Sequence, residues 1–163
     1  MKIQRICTSC FGLGLLPAAP GTWGSAPAAV LLWLMASYGA SQVLITAAMS
    51  AVVLAASAAC IRFAPGVIAE TGSKDPSEVV ADELAGQGLT FLVFYTFCGS
   101  ENVIIAAVSG FILFRIFDII KPWPINKLEK LPAGWGILAD DLGAALAAGA
   151  LMILGSVTFY YLN

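Results

Sequence analysis

From residue 26 to residue 162 the chain is a succession of five apolar runs, at 26–38, 41–61, 79–98, 102–120 and 137–162, separated by segments that carry polar, glycine or proline residues. A bilayer core about 30 Å thick needs roughly 20 helical residues, so four of these runs are long enough to cross it and the first is short. In hydrocarbon the backbone must satisfy its own polar groups, and for runs of this length that means helices. Gly39, Pro65-Gly66, Gly99-Ser100 and the proline-flanked stretch 122–132 are the breakers. Composition agrees: 11% of residues are charged, against roughly 25% in soluble domains, and mean hydropathy is +0.90. The expected fold is an all-α, polytopic membrane helical bundle of about five helices, four full-length spans plus one short N-terminal one, in a single domain over residues 1–163. The first run could equally be a half-helix, a tilted span or part of a re-entrant hairpin. The amino terminus, MKIQRICTSC, meets Gly and Pro before any continuous apolar core, so no cleaved signal peptide is expected.

Charge sets the orientation. With a cytoplasmic amino terminus, residues 1–25, 62–78 and 121–136 face the cytoplasm. Seven of the eight basic residues then do so too: Lys2, Arg5, Arg62, Lys74, Lys121, Lys127 and Lys130. Arg115 falls less than two turns inside that face, and the outer turns near 39–41 and 99–101 carry no Lys or Arg. The same topology brings three acidic clusters to the cytoplasmic end: Asp75, Glu78, Asp82 and Glu83; Asp118; and Asp140 with Asp141. Carboxylates at the edge of membrane-length apolar runs are costly, and their convergence suggests a site that holds a metal ion.

Each cluster also has a plain structural role available. Asp75 reads as an N-cap, Pro76 as the first helical residue and Glu78 as the third position of a capping box, which would account for both acids. Capping does not account for Asp82 and Glu83, which lie beyond the cap and lead directly into an apolar run. Arg115, Asp118 and Lys121 recur every three residues before Pro122. An ion pair with a snorkelling Lys121 and an interfacial Trp123 fits the end of that helix, but Arg115 and Asp118 reach into the apolar part, and an Arg fork suits phosphate oxygens. One Asp near a helix start complements the dipole; the adjacent pair Asp140-Asp141 exceeds that need. Hard oxygen ligands without histidine favour Mg²⁺. The loop before the first run, with Gly21, Thr22 and Ser25, reads either as a connection ending in Ser25 as N-cap or as a backbone cradle for an anionic headgroup. Cys7 and Cys10 have the spacing of half a zinc site, but no second pair or histidine completes it, and they read as small apolar filler.

Taken together, GLGLLPAAPGTWGS, DPSEVVADELAGQ, FRIFDIIKPWPI and GILADDLGAA resemble, in order and spacing, the signature blocks of the phosphatidylglycerophosphatase A family, from about Gly12 to Ala145. The resemblance implies a Mg²⁺-dependent lipid phosphatase, multi-pass in the bacterial inner membrane. Its active site would face the cytoplasm and convert phosphatidylglycerophosphate of the cytoplasmic leaflet to phosphatidylglycerol. The acidic motif residues map to Asp75, Glu78, Asp82, Glu83, Asp118, Asp140 and Asp141, the basic ones to Arg115 and Lys121. A subset of Asp82, Glu83, Asp118, Asp140 and Asp141 would hold Mg²⁺, with catalysis resting on Asp82, Glu83, Asp118 and Asp141. Arg115 and Lys121, with Gly21, Thr22 and Ser25, would bind substrate, and Asp75 and Glu78 are further candidates. Direct attack by water and an aspartyl-phosphate intermediate both remain open. The chain has no histidine, no Cys followed six residues later by Arg and no Asp-x-Asp pair, which removes the histidine, cysteine and haloacid-type phosphatase routes. No nucleic-acid partner is expected. The alternatives are a small ion or proton transporter, which would gather its acids near the bilayer midplane, and a non-enzymatic membrane subunit.

Overall fold

The computed structural model describes residues 3–98, 102–132 and 134–162, and is helical with connecting turns throughout them. The helices are α1 (Ile3–Thr8), α2 (Pro20–Ser37), α3 (Gln42–Thr71), α4 (Ala81–Phe97), α5 (Val103–Ile120) and α6 (Gly134–Leu162), with 3-10 turns at Leu13–Leu15 and Ile125–Lys130. The expected bundle is present, with a short amino-terminal helix α1 that hydropathy does not reveal. Among the described residues three helices, α3, α5 and α6, are long and apolar enough to cross a membrane, rather than four. The fourth candidate, α4, has only 17 residues and begins with its two acids. The outer turn expected at Gly99-Ser100 lies outside the described residues, as does Lys2.

Helix starts and stops depart from the sequence reading in ways that shape the site. Ala19, in the left-handed region at φ 50, turns the chain into Pro20, so α2 starts well before residue 26. Ser25 is therefore not an N-cap but a fully buried residue inside α2, where its hydroxyl donates to the Gly21 carbonyl (2.8 Å). Pro65-Gly66 does not end α3, which runs on to Thr71 and stops at left-handed Gly72. Tertiary packing holds the helix across the proline: Ala64 and Val67 are fully buried, and Gln4 of α1 lies against Gly66, where a Cβ would come within 2.6 Å of its Oε1. Nor do Asp75, Pro76 and Glu78 form a capping box, because α4 starts later, at Ala81. Val79 and Val80 are buried and the Val80 N–H bonds Thr8 O (2.8 Å), which ties this loop to the amino-terminal segment instead of continuing a helix.

The central helix is α4, packed against α2, α3, α5 and α6. Small residues let the axes approach, as membrane helices require: Ala144, Ala145 and Ala148 of α6 are fully buried against the bundle. Large side chains such as Leu54, Ile105 and Leu154 point outward, while Asp82, Gln87, Thr90 and Ser25 lie inside. The exterior is thus apolar and the interior partly polar. At 1.5 Å per residue the 29 residues of α6 span about 43 Å, some 13 Å more than a bilayer core. Asp140 and Asp141 come about 9–10 Å along it, near its amino end. They do not lie in its first turn, which begins at Gly134. Asp82 and Glu83, in the first turn of the shorter α4, fall at the same level: a Cβ on Gly86 would lie 3.1 Å from Asp141 O.

Candidate active site

Three acids from two helices converge where α4 begins beside the second turn of α6. Asp82, Glu83 and Asp141 each offer an oxygen within 4.8 Å of the other two. Asp82 and Asp141 are buried to 4% and 3% exposure. Oδ1 of Asp82, Oε2 of Glu83 and Oδ2 of Asp141 lack hydrogen-bond partners among the described residues. Asp118, at the end of α5, is also buried, and its charge is close enough to act on Asp141. Asp140 is not one of the three and pairs with Lys121.

Two cations border the acids. Arg115 Nη1 lies 2.7 Å from Asp118 Oδ2, one turn apart on α5. Lys121 caps α5 in the left-handed conformation (φ 44), its N–H bonded to Phe117 O at 2.9 Å. A non-glycine residue there costs about 1 kcal/mol or more, and its ammonium pairs with Asp140. Burial alone would lower the Lys121 pKa, but the hydrogen bond and charge of Asp140, with Asp141 and Asp118 behind it, outweigh burial and raise it. Lys121 is therefore a fixed positive charge at any physiological pH. Five carboxylates against two cations leave three negative charges uncompensated if all ionise. Two carboxylates about 5 Å apart repel by roughly 3 kcal/mol at an effective dielectric of 20. Converging, partnerless carboxylate oxygens with excess negative charge suit a hard divalent cation, so Asp82, Glu83 and Asp141 fit Mg²⁺.

The amino end of α2 closes the site from a third side. A Cβ on Gly21 would overlap Glu83 Oε1 and come within 2.9 and 3.0 Å of Arg115 Nη1 and Nη2. Gly21 thus lies directly against a carboxylate of the triad and the guanidinium. Half-buried Thr22 follows it in the first turn, and Ser25 lies one turn further in. Beside Lys121, an apolar crevice of about 450 Å³ opens between the α5 end, the 3-10 turn and α6, lined among others by Phe117, Trp123, Leu128, Gly143 and Ala147.

Asp75 and Glu78 lie outside the triad, although the Asp75 carboxyl is close enough to Lys121 and Asp118 to feel both charges. Glu78 Oε1 pairs with Arg5 Nη2 of α1 (3.1 Å), and exposed Asp75 accepts from the Ser73 hydroxyl through its backbone carbonyl. Cys10 lies nearby, and burial, reinforced by the charge of Glu83, pushes its thiol up to about 12, which removes it as a thiolate. Two residues escaped the sequence reading. Arg5 is the partner of Glu78, and nothing in its local sequence marks it. Gln87 of α4 is fully buried, and neither of its amide atoms has a partner among the described residues. An amide within an apolar membrane run is a signal that could have singled it out.

Fold and site define a helical membrane protein whose buried polar centre joins carboxylates to a guanidinium and an ammonium. The sequence model of the family described as Phosphatidylglycerophosphatase A matches residues 6–156, and the chain belongs to that family. It is 32% identical over 147 residues to a protein of that name from Escherichia coli (strain K12), covering 89% of this chain and 79% of the relative. To its namesake from Haemophilus influenzae it is 37% identical over 140 residues, 85% of this chain and 79% of the relative. A Bacteroides thetaiotaomicron relative, 31% identical over 136 residues (83% of this chain, 82% of the relative), is provisionally named a phosphatidylinositol-3-phosphatase. No solved structure matches the chain.

Proposed function

We propose that this protein removes the terminal phosphate of phosphatidylglycerophosphate, giving phosphatidylglycerol and inorganic phosphate in phospholipid biosynthesis. The reading includes a Mg²⁺ requirement and a site that faces the cytoplasmic leaflet of a bacterial inner membrane. Family membership and the names of the two phosphatidylglycerophosphatase A relatives support the substrate. The observation that carries the chemistry is the convergence of Asp82, Glu83 and Asp141, each with a partnerless oxygen, beside Arg115 and Lys121. The orientation is supported by the basic residues, which crowd the end that holds the acids.

Asp82, Glu83 and Asp141 would hold Mg²⁺; the chemistry it supplies when bound is Lewis-acid neutralisation of phosphoryl oxygens. Arg115 and Lys121 add fixed positive charge toward the same oxygens as the phosphoryl group transfers. Asp118, which adjoins Asp141 outside the triad, orients the attacking water and accepts its proton. The water oxygen bonds to phosphorus as the phosphorus–oxygen bond to the glycerol breaks, the proton held on Asp118 passes to the leaving glycerol oxygen, and phosphate departs. Asp140 acts on Lys121, holding its ammonium in place. The apolar crevice beside Lys121 receives hydrocarbon of the lipid, so the substrate approaches sideways from the bilayer.

The test is phosphate release from phosphatidylglycerophosphate in detergent micelles by purified protein, with Mg²⁺ and with EDTA, beside Asp82→Ala. Release that requires Mg²⁺ and disappears in the variant is expected. Folded protein that releases nothing, or release that EDTA and the variant leave unchanged, would refute the proposal.

A further inference from the structure

Gln87 is a buried polar group that neither the fold nor the mechanism above employs. Its side chain is fully buried in the central helix, and both Nε2 and Oε1 lack hydrogen-bond partners among the described residues. An amide left in this state costs about 1–3 kcal/mol or more, and most buried side-chain polar atoms are satisfied. A leucine there would fill similar volume without that cost. The amide therefore calls for a partner from outside the described residues.

Helical register shows which site that ligand occupies. Gln87 follows Glu83 by four residues, so it lies about 40° around α4 and about 6 Å deeper. Glu83 points at Gly21 of α2 and the Arg115 guanidinium. On either side of Gln87 the directions are taken: Gly86 faces Phe114 and the Asp141 carbonyl, and Gly88 faces Val52 and Val53 of α3. Gln87 is left facing the seam toward α2. There α2 presents buried Gly21, Gly24, Ser25 and Ala28, whose small side chains let the helix backbone come close to α4. Arg115 Nε is also buried without a hydrogen-bond partner among the described residues. Tyr95 has an orphaned hydroxyl too, but it is 12 residues beyond Glu83, about 18 Å along the helix and out of reach of the acids.

We infer that Gln87 is the inner wall of the phosphate site: its Nε2–H donates to a phosphoryl oxygen of the bound group, from about one turn deeper than Glu83. Its Oε1 is then free to accept from the Arg115 guanidinium. The inference rests on the phosphatase reading for the identity of the lipid, but the anion site itself does not depend on turnover. A neutral amide suits this place, because it donates to phosphate without adding charge to a cluster already rich in carboxylates.

The test compares full-length wild-type protein with Gln87→Met and Gln87→Leu in detergent with Mg²⁺. Thermal unfolding is measured with and without inorganic phosphate, together with kcat and KM on phosphatidylglycerophosphate. Expected without phosphate are melting temperatures equal to or above wild type, since the substitutions remove an unpaired buried amide. Expected also are a phosphate-induced rise in wild type that both variants lose, and a kcat/KM lower by about 10- to 100-fold. If wild type binds phosphate and the variants do not, yet no lipid is hydrolysed, the anion site stands and the reaction assignment falls. Variants that keep the phosphate-induced rise, even with a raised KM for the lipid, would overturn the assignment to phosphate. Variants that melt well below wild type would show that the amide has partners within the fold, and no phosphate-induced rise in wild type would remove the site.

Discussion

Replacing Gly21 with alanine separates the stability of this bundle from the geometry of its site. The added Cβ would stand 2.9 Å from Arg115 Nη1, where ordinary contact begins at 3.4 Å, so the guanidinium must retreat by about 0.5 Å, and Glu83 Oε1, closer still, by more. Both are tips of flexible side chains, so folding costs little. Overpacking of about 1 kcal/mol is offset by the similar gain of alanine over glycine within a helix. The displaced atoms are those proposed to face metal and phosphate, however, and a shift approaching 1 Å in such groups costs up to about 100-fold in rate. The expected result is a melting temperature within a few degrees of wild type with kcat/KM down about 10- to 100-fold, or roughly 1.4–2.8 kcal/mol of transition-state stabilisation. Gly155→Ala is the control, because a Cβ there meets nothing within 4 Å. It should leave turnover unchanged. Phosphate release in mixed micelles and thermal unfolding in detergent read the two quantities. A folded Gly21→Ala variant with kcat/KM within twofold of wild type would refute the argument that α2 closes the site.

Further expectations concern the charged groups and the crevice. Asp82→Asn and Asp141→Asn should each reduce turnover by about 1,000-fold or more and abolish the rise in melting temperature produced by Mg²⁺; a Mg²⁺ response that survives both would remove the triad as ligands. Lys121→Met leaves the Asp140 carboxylate buried and unpaired and should destabilise by about 3 kcal/mol, and adding Asp140→Asn should recover much of that, as a double-mutant cycle of unfolding would measure. Because the folded pKa of Lys121 is raised, its stabilisation is fully present below its unfolded value near 10.4 and is lost only as pH rises through the folded pKa. The melting difference between wild type and Lys121→Met should therefore stay constant from pH 7 to 9 and narrow only in stronger alkali. Ala147→Trp, which fills the apolar crevice, should raise KM several-fold for a long-chain lipid substrate and leave it unchanged for a short-chain analogue.

What the order of residues determines by itself is the environment of the chain and the end of the bundle at which its chemistry gathers. Apolar run length and the distribution of Lys and Arg are one-dimensional signals, so the helical membrane class and the crowding of acids at one end follow without any packing. The four motif blocks carry the family in the same way. Helix limits were less legible. Pro65-Gly66 reads as a break and Asp75-Pro76-Ser77-Glu78 as a cap, but Gln4 packed on Gly66 carries α3 onward, and buried Val79 and Val80 delay α4 to Ala81. That delay sorts the four acids of one motif, sending Asp82 and Glu83 into the bundle and leaving Glu78 to Arg5. The tertiary structure alone decides that Asp141 rather than Asp140 joins them, that Lys121 answers Asp140, that Gly21 abuts Glu83 and Arg115, and that Gln87 is buried unpaired. Those outcomes depend on which faces of α2, α4, α5 and α6 meet around a shared centre, and neither hydropathy nor local propensity records the rotation of one helix against another.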